Sequence, residues 1–148
     1  MFGGILLLSG CGRPVSRNTG EFEPYLKKFE GYFQQYNGVK MVLGNVTIKR
    51  QTLASSQLAL CEISPEGSTI LLNDTYWDIL SDETKEVVFM HESGHCFVGR
   101  LHNNNRANDR QWESVMQQHP QLLRDYEEHK DEYLKELFSS NTSTPDEK

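Results

Sequence analysis

His91-Glu92-Ser93-Gly94-His95-Cys96-Phe97-Val98-Gly99-Arg100-Leu101-His102 is the stretch on which the reading of this chain turns. It opens as H-E-x-x-H. Residues four apart on an α-helix share a face, with Cβ atoms roughly 5–6 Å apart. His91 and His95 can therefore present two imidazole nitrogens to one metal ion. Glu92 lies about 100° further round the helix, from where a carboxylate can reach a water on that ion and take its proton. Two helical donors hold only one side of an ion, and a tetrahedral site needs another from chain that doubles back. Gly99 can make that break at positive φ, which makes His102 the candidate third ligand. Cys96 points about 100° away from His95 and is not counted as a ligand.

The helix around the motif is expected from about Glu83 to Phe97. Ser81 and Asp82 can cap its start, Asp82 and Glu83 suit its positive end, and Val87, Val88, Met90 and Phe97 give it apolar contacts. Upstream, Phe22, Leu26, Phe29, Phe33 and Tyr36 recur at helical steps, so Glu21 to Tyr36 reads as a first helix ended by Asn37-Gly38. Strand signals fill Val39 to Ile63: apolar Val39–Leu43, then β-branched Val46–Arg50, then alternating Gln57–Ile63. Ser64-Pro65-Glu66-Gly67 is turn chemistry. Ser68–Asn73 follows closely enough to make an antiparallel hairpin with Gln57–Ile63. Tyr76–Leu80 reads as a short helical or irregular link. Downstream, Asn103–Gln111 is polar loop, Glu113-Ser114-Val115-Met116 follows, and Pro120 introduces a last helix, Gln121 to Phe138. His119 and His129 read as solvent-facing.

The chain has 148 residues, with 15 Lys+Arg against 21 Asp+Glu and a formal charge of −6. That suits one domain with one core. No basic run marks a nucleic-acid partner. Apolar content is 36%, gathered in blocks as in a globular domain with polar ends. At the start, Ile5–Leu8 is too short to span a bilayer and reads as part of a targeting signal. Of the three cysteines, Cys61 and Cys96 can bridge in an oxidising compartment, or remain two small buried residues that never pair.

Two resemblances follow from these residues. Leu8-Ser9-Gly10-Cys11 resembles the lipobox of bacterial lipoproteins, without a preceding Lys or Arg. It implies lipidation of Cys11, a lipid anchor to a membrane outside the cytoplasm, and a division into signal (1–11), tether (12–20), domain (21–138) and disordered tail (139–148). The order of helix, small sheet, His-bearing helix, loop and terminal helix resembles the zincin metallopeptidases, and within them the metzincins. Their pattern is H-E-x-x-H-x-x-G-x-x-H followed by a Met-turn. Here Gly99 and His102 each fall one residue later, and Ser114-Val115-Met116 resembles the Met-turn.

The resemblance implies an α+β, zincin-like fold with a small sheet, mostly antiparallel or mixed. It implies Zn2+ on His91, His95 and His102, Met116 beneath the site, and hydrolysis of peptide or protein substrates with Glu92 as general base. An antiparallel edge strand, Ser68–Asn73 or Gln57–Ile63, would pair with extended peptide. Gln118 stands where some metzincins carry an oxyanion-stabilising Tyr, leaving Tyr126 or His119 for that role. Two other readings stand beside it. One is a non-catalytic zincin-like lipoprotein that binds a partner or metal. The other is a gluzincin-type peptidase with Glu127 as third ligand and Asp131 four residues on.

Overall fold

The computed structural model describes residues 14–139; Cys11 and its lipobox, and the tail beyond residue 139, lie outside them. The architecture is α+β: a four-stranded mixed sheet and three α-helices. In chain order these are β1 (Arg17–Asn18), α1 (Glu23–Asn37), β2 (Val46–Gln51), β3 (Ala59–Ser64), β4 (Gly67–Asn73), α2 (Asp82–Val98) and α3 (Lys130–Leu137).

The strands lie in the order β1-β2-β4-β3. β1 and β4 both run parallel to β2, with Val46 opposite Ser68 and Gln51 opposite Asn73. β3 and β4 form the antiparallel hairpin that their short connection requires, with Cys61 opposite Ile70. Two of the three pairings are thus parallel, and β3 is an edge strand. Within the stretch expected as a tether, Arg17–Asn18 pairs with Val46–Thr47, and the Ser16 N–H reaches Asn45 Oδ1 at 2.8 Å.

The strand expected at Val39–Leu43 does not form. β1 pairs with Val46–Thr47 of β2, and Val39–Leu43 stays outside the sheet. Val42 is left 94% exposed, while Met41 and Leu43 lean on the core. The last helix is also shorter than expected: Pro120–Leu122 is a single 3-10 turn, and α3 begins only at Lys130. Between them Leu123 and Tyr126 turn inward. The Tyr126 hydroxyl bonds Glu86 at 3.1 Å and the Tyr133 hydroxyl bonds Asp125 at 3.0 Å. The Glu127 N–H is donated to Glu83 at 3.2 Å and not to a helical carbonyl.

The core joins Leu26 and Phe29 of α1, Ile48 of β2, Ile70 and Leu72 of β4, Val87, Phe89 and Met90 of α2, and Leu134 and Leu137 of α3. The aromatic stripe of α1 meets the end of α3, where Phe29, Phe33 and Tyr36 lie 5.2, 5.8 and 6.1 Å from the Phe138 ring. α2 is the central element, with every residue from Glu86 to Gly94 buried. Polar groups on so buried a helix are costly to leave unpaired; His91 finds the Val115 carbonyl, whereas the Ser93 hydroxyl has no partner among the described residues.

Candidate metal centre

Local sequence sets the ends of α2. Ser81 caps it, its hydroxyl accepting the Thr84 N–H at 3.2 Å, and Gly99 ends it at φ 65°, a left-handed value that favours glycine. The Arg100 N–H then turns back to the Gly94 carbonyl at 2.9 Å. This reversal brings His102 to the face of α2 that carries His91 and His95. Ligand nitrogens of the three histidines lie within 4.8 Å of one another.

Two of the rings are held from behind. His91 Nδ1 is 2.8 Å from the Val115 carbonyl, and His95 Nδ1 is 2.7 Å from the Arg100 carbonyl. A carbonyl oxygen only accepts, so each Nδ1 must carry the proton. In a neutral ring that leaves Nε2 with a lone pair. Burial and the neighbouring imidazoles hold His91 down at about 4, against the pull of the Val115 carbonyl. Burial likewise lowers His95. Both rings are therefore neutral near pH 7. Their Nε2 atoms face each other at 3.1 Å, and neither has a hydrogen to offer.

Beneath them sits the Ser-Val-Met turn. Met116 is fully buried. The Ser114 hydroxyl accepts the Met116 N–H at 3.0 Å, and the Met116 carbonyl accepts the Asn103 N–H at 2.9 Å. A Cβ on Gly94 would come within 2.4 Å of Met116 Sδ, so the glycine inside the motif is what lets this turn lie against α2.

The three histidines open onto a cleft of about 800 Å³. Leu58–Cys61 and Ile63, from β3 and its approach, form one wall, and Gln118–Gln121 form another. Glu92 is the one acid among the described residues that line it. It is 8% exposed, and burial raises its carboxyl to about 7 against the pull of the Cys61 backbone N–H. A disulfide, Cys61–Cys96, ties the β3 wall to α2, which decides between the two readings of these cysteines.

Not every candidate residue reaches this place. Glu127 lines a separate cleft with Lys28, Glu86 and Lys130, and its carboxylate bonds Lys130 at 3.0 Å. Asp131 accepts the Tyr36 hydroxyl. The gluzincin pair is therefore not joined to the histidines. Tyr126 is fully buried and turned to Glu86, so it does not face the cleft. His119 is exposed, as its sequence context suggested, and lines the cleft beside Gln118. The carbonyls of Arg100 and Val115 carried no side-chain signal from which to read them.

The three imidazoles, two of them fixed as neutral Nε2 donors by bonds at Nδ1, could hold a metal ion. No family model matches the chain, and neither any curated protein nor any solved structure matches it.

Proposed function

We propose that this chain is a zinc-dependent endopeptidase on the zincin plan, nearest in pattern to the metzincins. One observation carries the reading: the His91 and His95 Nε2 lone pairs meet at 3.1 Å with both Nδ1 protons committed to carbonyls. That arrangement is repulsive without a cation between them. Zinc–nitrogen bonds of about 2.0–2.1 Å at tetrahedral angles separate two ligand nitrogens by about 3.3–3.4 Å. His91, His95 and His102 would hold the ion, which when bound supplies Lewis acidity to a water and a peptide carbonyl.

Glu92 does the proton work. Its carboxylate lines the same cleft as the histidines, takes the proton of the attacking water and returns it to the leaving amine. β3 presents its free edge along the cleft, where extended peptide can add by main-chain hydrogen bonds. The Arg100 guanidinium is occupied by the Glu136 and Leu137 carbonyls at 2.7 and 2.6 Å. Leu58, Leu60, Ile63, Val88 and Leu101 form an apolar part of the lining. Apolar substrate side chains fit such walls better than charged ones.

The setting follows the same reading. The Leu8-Ser9-Gly10-Cys11 stretch suggests a lipid anchor, and a Cys61–Cys96 disulfide is at home outside the cytoplasm.

The test is zinc titration and peptide-library cleavage on the full chain, with and without chelator. Glu92→Gln should keep its zinc and lose activity by at least about 10²–10⁴-fold. His102→Ala should weaken zinc binding, and Glu127→Ala should not. Cleavage by Glu92→Gln at the parental rate overturns the mechanism. Weakened binding in the Glu127 variant alone transfers the third ligand to the gluzincin pattern.

A further inference from the structure

Glu136 lies on α3, remote in sequence from the histidines, and its carboxylate is the meeting point of every segment that orients them. One oxygen, Oε1, accepts from the Arg100 guanidinium and from Asn103 Nδ2, the latter at 3.2 Å. The other, Oε2, accepts from the Ser114 hydroxyl. Each partner stands beside one ring. The Arg100 carbonyl holds His95 Nδ1 at 2.7 Å. Ser114 precedes Val115, whose carbonyl holds His91 Nδ1 at 2.8 Å. Asn103 follows His102, and its N–H is fixed to the Met116 carbonyl at 2.9 Å.

The salt bridge to Arg100 is shielded, with side-chain exposures of 9% for Arg100 and 17% for Glu136. A shielded charge-assisted network is stronger and stiffer than a surface one. It also has no slack, because an anion removed from it leaves the guanidinium and two donors short of an acceptor.

We infer that Glu136 is a positioning residue for the metal centre, fixing through Arg100, Asn103 and Ser114 the two carbonyls and the loop that aim His91, His95 and His102 at a common point. The inference rests on the zinc reading of those histidines. It gives α3 a task beyond packing: the helix delivers one carboxylate to both chain segments that flank the site. Outer partners of this kind commonly set metal affinity by 10–100-fold.

A purely structural carboxylate would hold α3 to the loop and do nothing else. The two roles separate in the full chain carrying Glu136→Gln, with Ser114→Ala as a second variant that removes the Oε2 bond together with the Met116 N–H bond to the same hydroxyl. Zn2+ affinity is read by competition with a chromophoric chelator well below the melting temperature, and site geometry by the visible absorption of bound Co2+. Positioning predicts about 10–100-fold weaker zinc binding in Glu136→Gln, a smaller loss in Ser114→Ala, and an altered cobalt spectrum in both. Parental affinity and spectrum in folded Glu136→Gln, with only a lower melting temperature, overturn the inference. If Glu136→Gln does not fold, the same outcomes in Ser114→Ala decide. A parent chain that takes up no zinc overturns the metal reading and this inference together. A parent that binds zinc no better than its variants overturns this inference alone.

Discussion

Breaking the Cys61–Cys96 bond should cost the domain a large part of its stability. The bond closes a segment of 35 residues between β3 and α2. Chain entropy then gives a loss of about 2.1 + 1.5R ln 35, or roughly 13 cal/mol/K, which is about 4 kcal/mol at 25 °C. Unfolding entropy of about 2.1 cal/mol/K per residue, over roughly 126 ordered residues, converts this to a fall of about 14 °C in Tm. The paired variant Cys61→Ser, Cys96→Ser should show it by calorimetry at fixed zinc concentration, and reductant should reproduce it in the parent. β3 is the element at risk, because as an edge strand it pairs only with β4. A fall below about 4 °C would refute the argument, showing that β4 pairing already restrains β3 in the unfolded or reduced chain. Zinc affinity should hold within about twofold, since the bond involves neither carbonyl that orients a ring; a larger loss would mean the bond acts on the metal centre.

Gly94→Ala adds a methyl that meets Met116 Sδ at 2.4 Å and Leu137 Cδ1 at 3.1 Å. A helix-propensity gain of about 1 kcal/mol opposes an overpacking cost of about 1–3 kcal/mol, so denaturant melts should show a net loss near 1 kcal/mol; a stabilised variant would mean that Met116 moves aside freely. Glu86 is buried, which pushes its carboxyl up, but Lys130 and Lys28 outweigh that and leave it below its ordinary value. The stability it contributes is complete above pH 4.5 and is lost as pH falls through the lowered folded value. Thermal melts between pH 7 and pH 3 should therefore fall less steeply at the acid end in Glu86→Gln than in the parent, and parallel curves would dismiss the effect. Cys11→Ser should block lipid labelling and release the chain from membranes; unchanged labelling would remove the lipobox reading.

The sequence made α2 plain because independent local signals agreed on it. Ser81 caps it, Gly99 stops it, and the histidines four apart can work only on a helix. The β3–β4 hairpin was equally readable, since alternation and a turn of Ser64–Gly67 specify both pairing and face. Val39–Leu43 misled because strand propensity states what a segment can do, while a strand forms only where a partner strand pairs with it, and none pairs with this segment. Residues 123–129 look helical in period, yet Tyr126 and Asp125 find better partners across the fold. The three-histidine group was legible from spacing alone. Its supports were not: the Arg100 and Val115 carbonyls are main chain, and Glu136 is one acid among many on a polar helix until folding brings it to Ser114.

The sheet order also bears on how the molecule can be handled. β1 and β3 are its opposite margins, three strand spacings apart, or about 14 Å. Anything joined ahead of Arg17, whether lipid, fusion partner or solid support, hangs from the margin opposite the one that faces the cleft. The Asn45 side chain nevertheless joins that entry point to the Ser64–Gly67 turn, accepting the Ser16 N–H at 2.8 Å and donating to the Glu66 carbonyl at 2.8 Å, so an attachment ahead of Arg17 comes in beside the β3–β4 turn.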